Sequence, residues 1–222
     1  SFFSLILFSI NYEFVWLVVS YITLFILFLT HKFAIQAYFF NSLGFSLIFL
    51  DPTYILFFIG TFLSVFVFAG KLYKPVLVGH IAILKFWAKN IKFRFAHQFR
   101  GLHKSDNSLD FVQKLYLLSV KSPLIAALGS NPWLGVFIVL ILLYNLNLYP
   151  FVLSLDPNIF TKLNLWIFLS TISAVLVLSI PKLRFLGEGQ RYIEYAVMPL
   201  SIVLGSFFSY LFIIYKFYFL AA

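Results

Sequence analysis

The segment 181–195, PKLRFLGEGQRYIEY, holds the cluster of charged side chains whose chemistry best suits a ligand. Its cations alternate with acids, and the charged residues are Lys182, Arg184, Glu188, Arg191 and Glu194. A guanidinium group binds two phosphate oxygens at once, and a lysine adds a point charge. The cluster therefore predicts a binding site for a phosphate group, such as the headgroup of a phosphorylated lipid.

The same cluster has a purely structural alternative. Arg191 is close enough along the chain to pair with Glu188, and Glu194 follows Arg191 at the three-residue helical spacing at which opposite charges attract. Such pairs would fix the ends of two membrane helices. Charges beside a membrane helix are costly and usually mark a partner or a pathway, so the sequence leaves both interpretations open.

Other patterns that carry chemistry are weak or missing in this sequence. The chain has no cysteine, which excludes thiolate metal ligands and cysteine nucleophiles. His97 and His103 have no carboxylate pattern beside them, and Gly187-Glu188-Gly189 lacks the third glycine of a dinucleotide fingerprint. We therefore predict no metal site and no cofactor, and the sequence identifies no catalytic residue.

His80 lies in the apolar run VLVGHIAIL and is a candidate ligand for a haem or a pigment. A haem held by two histidines needs a second histidine within the membrane, and His31, at a helix terminus, matches that requirement poorly. The simpler alternative is a histidine that is hydrogen bonded at a helix end or interface.

Membrane helices must position these residues, because the chain is 63% hydrophobic and only 10% charged. Soluble domains carry about 25% charged residues. Six apolar segments each approach the roughly 20 residues that cross a hydrocarbon core. They are residues 14–30, 33–50, 53–70, 133–153, 163–181 and 193–215. This pattern predicts an all-α, polytopic integral membrane helix bundle with about six spanning helices.

The connections between these segments alternate between basic and acidic. Fourteen of the 16 lysines and arginines fall on one side: Lys32, the ten cations of 71–121, Lys182, Arg184 and Arg191. Lys162 and Lys216 fall on the other side. Since cytoplasmic loops carry the excess of basic residues, residues 71–121 and 182–191 are predicted to be cytoplasmic.

The basic region 71–132 separates two three-helix membrane segments, 1–70 and 133–222. Apolar residues recur there at helical spacing, at Leu84, Trp87, Ile91 and Phe95. Basic residues occupy another face or extend its charge, at Lys85, Lys89, Lys92, Arg94 and Arg100. The pattern predicts a basic amphipathic helix in the headgroup layer, with membrane lipids bearing anionic headgroups as partners. We do not expect nucleic acid as a partner.

Both ends of the chain carry further signals. Residues 1–10 are too short to span a membrane and are predicted to be the end of a helix or an interfacial segment. The chain begins at Ser1 and its only methionine is Met198, so we expect a processed chain or a fragment.

Near the other end, Ser201, Gly205 and Ser209 form a small-residue stripe that lets a neighbouring helix approach closely. Pro199, in the first turns of that helix, is predicted to kink it or to mark a wide turn of the helix.

Residues 60–210 resemble the later helices of the GT-C class of polytopic glycosyltransferases, which transfer sugars to or from polyprenyl-phosphate lipids. The matching pieces occur in order: Gly70-Lys71 followed by Lys74-Pro75, then a basic stretch, Asn131-Pro132-Trp133, and Ser179-x-Pro-Lys182 before Arg191-Tyr192 and Pro199. The run RFLGEGQRYIEYAVMP is also similar to a segment of bacterial membrane proteins of envelope polysaccharide synthesis.

This resemblance implies a bacterial inner-membrane protein that binds a polyprenyl-phosphate carrier. Lys182, Arg184 and Arg191 would contact the phosphate, and Tyr192 would donate a hydrogen bond. Trp133 matches by position only and suits an interfacial aromatic anchor equally well.

The chain departs from the family at its catalytic group, a carboxylate in the first outer loop that acts as a general base. The acids predicted outside are Glu13, Asp51 and Asp156, and none is paired with a second carboxylate. Sugar transfer in that class also occurs outside, whereas Arg191 is predicted to lie inside. The chain would then be the later portion of such an enzyme, or a relative without the chemistry.

Two other functions remain open, and the sequence does not decide whether the chain is an enzyme. One is a non-catalytic transmembrane subunit of a larger membrane complex of respiratory or photosynthetic type, in contact with other membrane subunits. The other is a transporter, which would be supported by inverted repeats or by broken helices in corresponding halves.

Overall fold

Every regular element in the described part of the chain is a helix, which confirms the predicted all-α class. The computed structural model describes residues 1–90, 128–129, 131–145, 156–186 and 189–221. The helices are α1 (Phe2–Asn11), α2 (Phe14–Thr30), α3 (Lys32–Ile48), α4 (Thr53–Lys89), α5 (Pro132–Asn145), α6 (Pro157–Ser179), α7 (Gln190–Glu194) and α8 (Val197–Ala221). A 3-10 helix, Pro181–Leu186, follows α6.

Two of these helices, α4 and α6, are long and apolar enough to cross a membrane. The other apolar stretches of the described residues are shorter helices: Phe2–Asn11, Phe14–Thr30, Ala34–Ile48, Pro132–Tyr144 and Val197–Tyr210. The predicted segments 53–70 and 163–181 lie largely within α4 and α6. The bundle of about six spans remains a prediction for the other four segments, and residues 146–153 of one of them lie outside the described residues.

Helix α4 extends well beyond the end predicted for it at residue 70 and runs for 37 residues. Ala69 leaves helical geometry, with φ −124° and ψ 18°, and Pro75 lies inside the helix six residues later. A proline removes one backbone hydrogen bond and bends a helix without always ending it. The chain therefore bends here instead of entering a loop, and the boundary predicted at residue 70 lies one residue from the break.

Helix α1 packs into the core of the bundle. The Phe2 ring lies at the centre, with its centroid 5.0 Å from those of Tyr38, Phe45 and Trp166. The three contacts are edge-to-face, a favoured geometry for aromatic pairs. Leu5 is fully buried in the same cluster. Residues 1–10 thus form a helix that packs in the core of the bundle.

Helices α3 and α6 are joined by a buried polar contact. The amide of Asn41 donates to the Ser170 hydroxyl at 3.3 Å and to the Ala37 carbonyl at 2.9 Å. A Cβ added at Gly44, one turn further on, would lie 2.5 Å from the Leu169 side chain. Small side chains on α3 thus let α6 approach closely, as is typical of helix packing in membranes.

Candidate functional site

A cleft of about 430 Å³ lies between the α2–α3 corner, the second half of α4, and α7. Its lining includes His31 at the corner, His80 on α4, and Arg191 on α7. Tyr73 is buried in the cleft, while His31 and Arg191 are exposed, so the cleft opens to the surface. Two imidazoles and a guanidinium that are far apart in sequence thus face one cavity.

The bend in α4 and an aromatic contact set the position of the α4 wall. Tyr73, one turn after the break at Ala69, packs edge-to-face on Phe28 of α2 with ring centroids 6.0 Å apart. Pro75 and His80 follow on the same wall of the cleft. The second half of α4 is therefore held against the end of α2 by a buried ring pair.

His31 is held in place by the start of α3. It is the N-cap of that helix, where its Nδ1 accepts the backbone N–H of Ala34 at 3.3 Å. This contact satisfies one of the N–H groups that a helix start leaves without an intrahelical partner. The Tyr195 hydroxyl lies 3.2 Å from the same nitrogen, and the two rings meet edge-to-face. Because Nδ1 accepts from Ala34, we assign Tyr195 as a second donor to it.

A chain of hydrogen bonds connects α7, α3 and α4 at the cleft. The Tyr192 hydroxyl donates to Gln36 Oε1 at 3.1 Å, and Gln36 Nε2 lies 3.2 Å from His80 Nε2. Tyr192 is only 2% exposed, so the chain begins in the protein interior. Arg191 of α7 thus lines the cleft. The next residue, Tyr192, begins the hydrogen-bond network behind the cleft wall.

The predicted phosphate cluster is only partly gathered at this cleft. Arg191 lines it, and Tyr192 supports it through Gln36. Lys182 is exposed in the 3-10 helix Pro181–Leu186, which also contains Arg184. The Arg184 side chain and all of Glu188 lie outside the described residues. Glu194 is exposed on α7.

The predicted basic helix is described only at its start. Lys85 and Lys89 are exposed in the last two turns of α4. Lys92, Arg94 and Arg100 lie outside the described residues, as do His97 and His103. Within the part of the chain that is described, no group of three or more His, Cys, Asp or Glu side chains could hold a metal ion.

The small-residue stripe faces away from the helices of the described bundle. Ser201 and Ser209 are exposed on α8, and a Cβ added at Gly205 would meet nothing within 4 Å. The close helix neighbour predicted for this stripe is therefore not supplied by the described residues. Pro199 lies in the first turn of α8, three residues after the turn that follows α7.

Sequence reasoning missed two residues of the cleft and its support. His31 was considered only as a poor haem ligand, and Gln36 was not considered. The available signal for Gln36 was a lone amide in the apolar run FAIQAYFF, since polar groups in such helices usually have partners. His80 lies at a helix interface with a polar neighbour, as the simpler alternative for it anticipated.

A second polar cluster, also missed, lies at α1, α4 and α6. Lys162 donates from Nζ to the Ser9 hydroxyl at 2.7 Å, and the Tyr54 hydroxyl donates to the same oxygen at 2.7 Å. The ammonium also lies 5.6 Å from the Phe49 ring centroid and 5.9 Å from that of Tyr54. Cations are attracted to the faces of aromatic rings at such distances.

Comparison of the chain with protein-family models, with curated proteins and with solved structures gives no match.

Proposed function

We propose that this chain is an integral membrane protein that binds the phosphorylated headgroup of a lipid in the cleft lined by His31, His80 and Arg191. The observation that carries this proposal is the convergence of one guanidinium and two imidazoles on a single open cavity. The proposed ligand is a polyprenyl-phosphate carrier of glycan synthesis, in keeping with the GT-C resemblance. The proposed location is the bacterial inner membrane, with the cleft on the cytoplasmic side.

Exposed apolar side chains support a membrane location. Along α4, Val67 is 76% exposed, Phe68 77% and Leu72 71%. Burying a side chain of this kind away from water contributes about 1.5–3 kcal/mol. Lipid tails, or other membrane helices, around α4 would bury these exposed apolar side chains. We extend the same interpretation to the shorter apolar helices, which gives a bundle of about six spans.

The bend in α4 supports a headgroup depth for the cleft. Residues 53–69 would extend about 25 Å at 1.5 Å per residue, close to the thickness of a hydrocarbon core. The cleft residues of α4 all follow the bend, and the first charged residues after it are Lys71 and Lys74, both exposed. A cleft beyond this point would meet the phosphate layer of a bilayer.

The chemistry of the cleft suits a phosphate ester. Arg191 offers a forked donor with a permanent positive charge, and the imidazoles add donors of their own. Charge-assisted hydrogen bonds of this kind are roughly twice as strong as neutral ones. A volume of about 430 Å³ is enough for a headgroup larger than a single phosphate.

The cleft supports binding better than it supports group transfer. No aspartate or glutamate belongs to the part of its lining that the structure describes. Asp51 and Asp156 belong to the termini of α4 and α6, where they bind backbone N–H groups. We therefore propose a carrier-binding role, with any sugar transfer supplied by carboxylates beyond those described.

A second candidate is a non-catalytic subunit of a membrane complex, and one observation favours it. The stripe of Ser201, Gly205 and Ser209 is open to a further helix. In that case a partner helix would cover the stripe, and the cleft would hold a structural lipid.

The test compares two ligands of equal chain length on the purified protein in lipid nanodiscs. A polyprenyl phosphate should bind, and the uncharged polyprenol should bind at least tenfold more weakly. Arg191→Ala should remove most of this difference, since a charge-assisted hydrogen bond contributes about 1.5–3 kcal/mol. Lys89→Ala is the matched control, because Lys89 is an exposed cation of α4 outside the cleft lining.

Either of two results would overturn the proposal. One is equal affinity for the phosphate and the alcohol. The other is an unchanged phosphate preference in Arg191→Ala. Native mass spectrometry of the same sample separates the second candidate, which predicts bound partner proteins and no retained polyprenyl phosphate.

A further inference from the structure

His31 makes both of its hydrogen bonds through one ring nitrogen. Its Nδ1 lies 3.3 Å from the backbone nitrogen of Ala34 and 3.2 Å from the Tyr195 hydroxyl. In the part of the chain that the structure describes, no polar group contacts Nε2, the nitrogen on the other side of the ring. His31 is exposed and lines the cleft, so Nε2 is the ring nitrogen left for a ligand.

The backbone N–H of Ala34 determines where the imidazole proton lies. A backbone nitrogen can only donate, so Nδ1 must offer it a lone pair. A proton on Nδ1 would instead face the Ala34 N–H and leave that group without an acceptor at the start of α3. In a neutral imidazole one nitrogen donates and the other accepts, so the proton of His31 lies on Nε2.

Tyr195 holds the same ring from a second direction. Its hydroxyl donates to Nδ1, and its ring meets the imidazole edge-to-face, with centroids 6.1 Å apart and an interplanar angle of 84°. The imidazole is therefore held by the start of α3 and by the residue that follows α7. A donor that is held before the ligand arrives loses little freedom on binding, which favours affinity.

We propose that His31 is a ligand-binding residue that donates its Nε2–H group to a phosphate oxygen in the cleft, while its Nδ1 caps α3. The inference rests on the proposed function and adds the atom and the direction of one contact. Arg191 then supplies the permanent charge, and His31 supplies a hydrogen bond from a fixed position. The cleft would thus select a ligand by the position of an accepting oxygen as well as by its charge.

The tautomer is measured on the whole protein in lipid nanodiscs, without any ligand. Correlations between ring ¹⁵N and ring protons distinguish a protonated nitrogen from one with a lone pair, and His31→Asn identifies the His31 signals by their loss. In the neutral ring Nε2 should carry the proton and Nδ1 the lone pair. A neutral ring with its proton on Nδ1 would overturn the inference, whether or not the cleft binds a phosphate.

His31→Asn separates the donor from the cap. Asparagine is among the best N-cap residues, so the start of α3 should keep its acceptor. Its side chain ends where Nδ1 of the histidine lies and has no group at the position of Nε2. Thermal unfolding should therefore change little. The affinity for polyprenyl phosphate should fall about tenfold, as expected for the loss of one hydrogen bond to a charged group.

His31→Asp adds a second comparison, and Asp156→Asn is the matched control. Aspartate also caps a helix, but its carboxylate repels a phosphate, so the affinity should fall further than in His31→Asn. Binding of the uncharged polyprenol should change little in either variant. Asp156 is the N-cap of α6 and lies outside the cleft lining, so Asp156→Asn should leave the affinity for polyprenyl phosphate unchanged.

A purely structural role for His31 predicts a different result. Both capping variants would then bind polyprenyl phosphate as well as the unsubstituted protein does, and that outcome would refute the donor role. Loss of the phosphate preference in Arg191→Ala tests the proposed function separately. If the unsubstituted protein does not bind polyprenyl phosphate, the proposed function and the donor role both fail, while the ring spectrum still decides the tautomer.

Discussion

The ammonium of Lys162 and the hydroxyl of Ser9 lie 2.7 Å apart and join α6 to α1. Tyr54 of α4 donates to the same Ser9 oxygen, and Ser9 in turn donates to the Ile6 carbonyl at 2.7 Å. The Ser9 hydroxyl thus connects α1 with Tyr54 of α4 and Lys162 of α6. The Lys162 ammonium also lies within 6 Å of the ring centroids of Phe49 and Tyr54, at 5.6 Å and 5.9 Å.

This contact predicts a measurable coupling between Lys162 and Ser9. Lys162→Met and Ser9→Ala should each lower the free energy of unfolding in detergent. The double variant should lose less than the sum, with a coupling of about 1 kcal/mol. Thr161→Ala is the control, because the Thr161 hydroxyl donates to the Pro157 carbonyl within its own helix. A loss of unfolding free energy as large as that of Ser9→Ala would argue against the assignment. Additive losses would contradict the coupling itself.

Gly189 predicts a second effect, on the position of α7. A Cβ at this residue would lie 2.8 Å from the Ala174 carbonyl oxygen and 2.6 Å from the Leu178 side chain. A backbone oxygen cannot move aside easily, so Gly189→Ala should destabilise the fold by about 1–3 kcal/mol. Since Arg191 and Tyr192 follow directly, lipid-phosphate binding should fall as well.

Gly205→Ala provides the matched control for this substitution, because its added methyl group would meet nothing within 4 Å. Its thermal unfolding temperature should equal or exceed that of the unsubstituted protein, because alanine is favoured over glycine inside a helix. Equal destabilisation by the two glycine substitutions would contradict the assignment, because it would show that the close approach of α6 does not explain the effect at Gly189.

The helices of this fold follow from local sequence, whereas the cleft does not. Apolar runs placed α2 and α3 within a few residues of their observed bounds, because hydropathy acts over each run separately. The extension of α4 to Lys89 was not anticipated, since Gly70, Lys71 and Pro75 are typical of a helix end. The packing of α1 in the core was also missed, because a ten-residue run has no signal for its partners.

The candidate site illustrates the same division. Arg191 was predicted from its charge and its acidic neighbours, which are local features. His31 and His80 meet Arg191 only because α2, α4 and α7 converge at one end of the bundle. No spacing in the sequence records that convergence.

Arg191→Ala separates the two interpretations of the charged cluster at 181–195. If Arg191 binds an anion, the variant should unfold at a temperature within a few degrees of the unsubstituted protein, while the stabilisation given by polyprenyl phosphate disappears. A ligand at 100 times its dissociation constant stabilises the folded state by about 2.7 kcal/mol, which a thermal scan detects.

The structural alternative predicts the opposite pattern. A salt bridge that fixes the helix ends would leave Glu188 or Glu194 without its partner near the membrane. Loss of folded protein in detergent would then accompany the substitution, as happens when one member of a desolvated pair is removed. Lys182→Ala is the companion variant, because Lys182 is an exposed cation of the same segment outside the cleft lining.

The orientation in the membrane can be tested with single cysteines, because the chain has none of its own. The distribution of lysine and arginine predicts that Lys74→Cys reacts with an impermeant thiol reagent only from the cytoplasmic side. Asp156→Cys, at the start of α6, should react only from the other side. Both residues are exposed, so a lack of access through burial would not explain a negative result. Labelling of both cysteines from one side would refute the predicted orientation, and it would place the cleft and the Asp156 end of α6 in the same compartment.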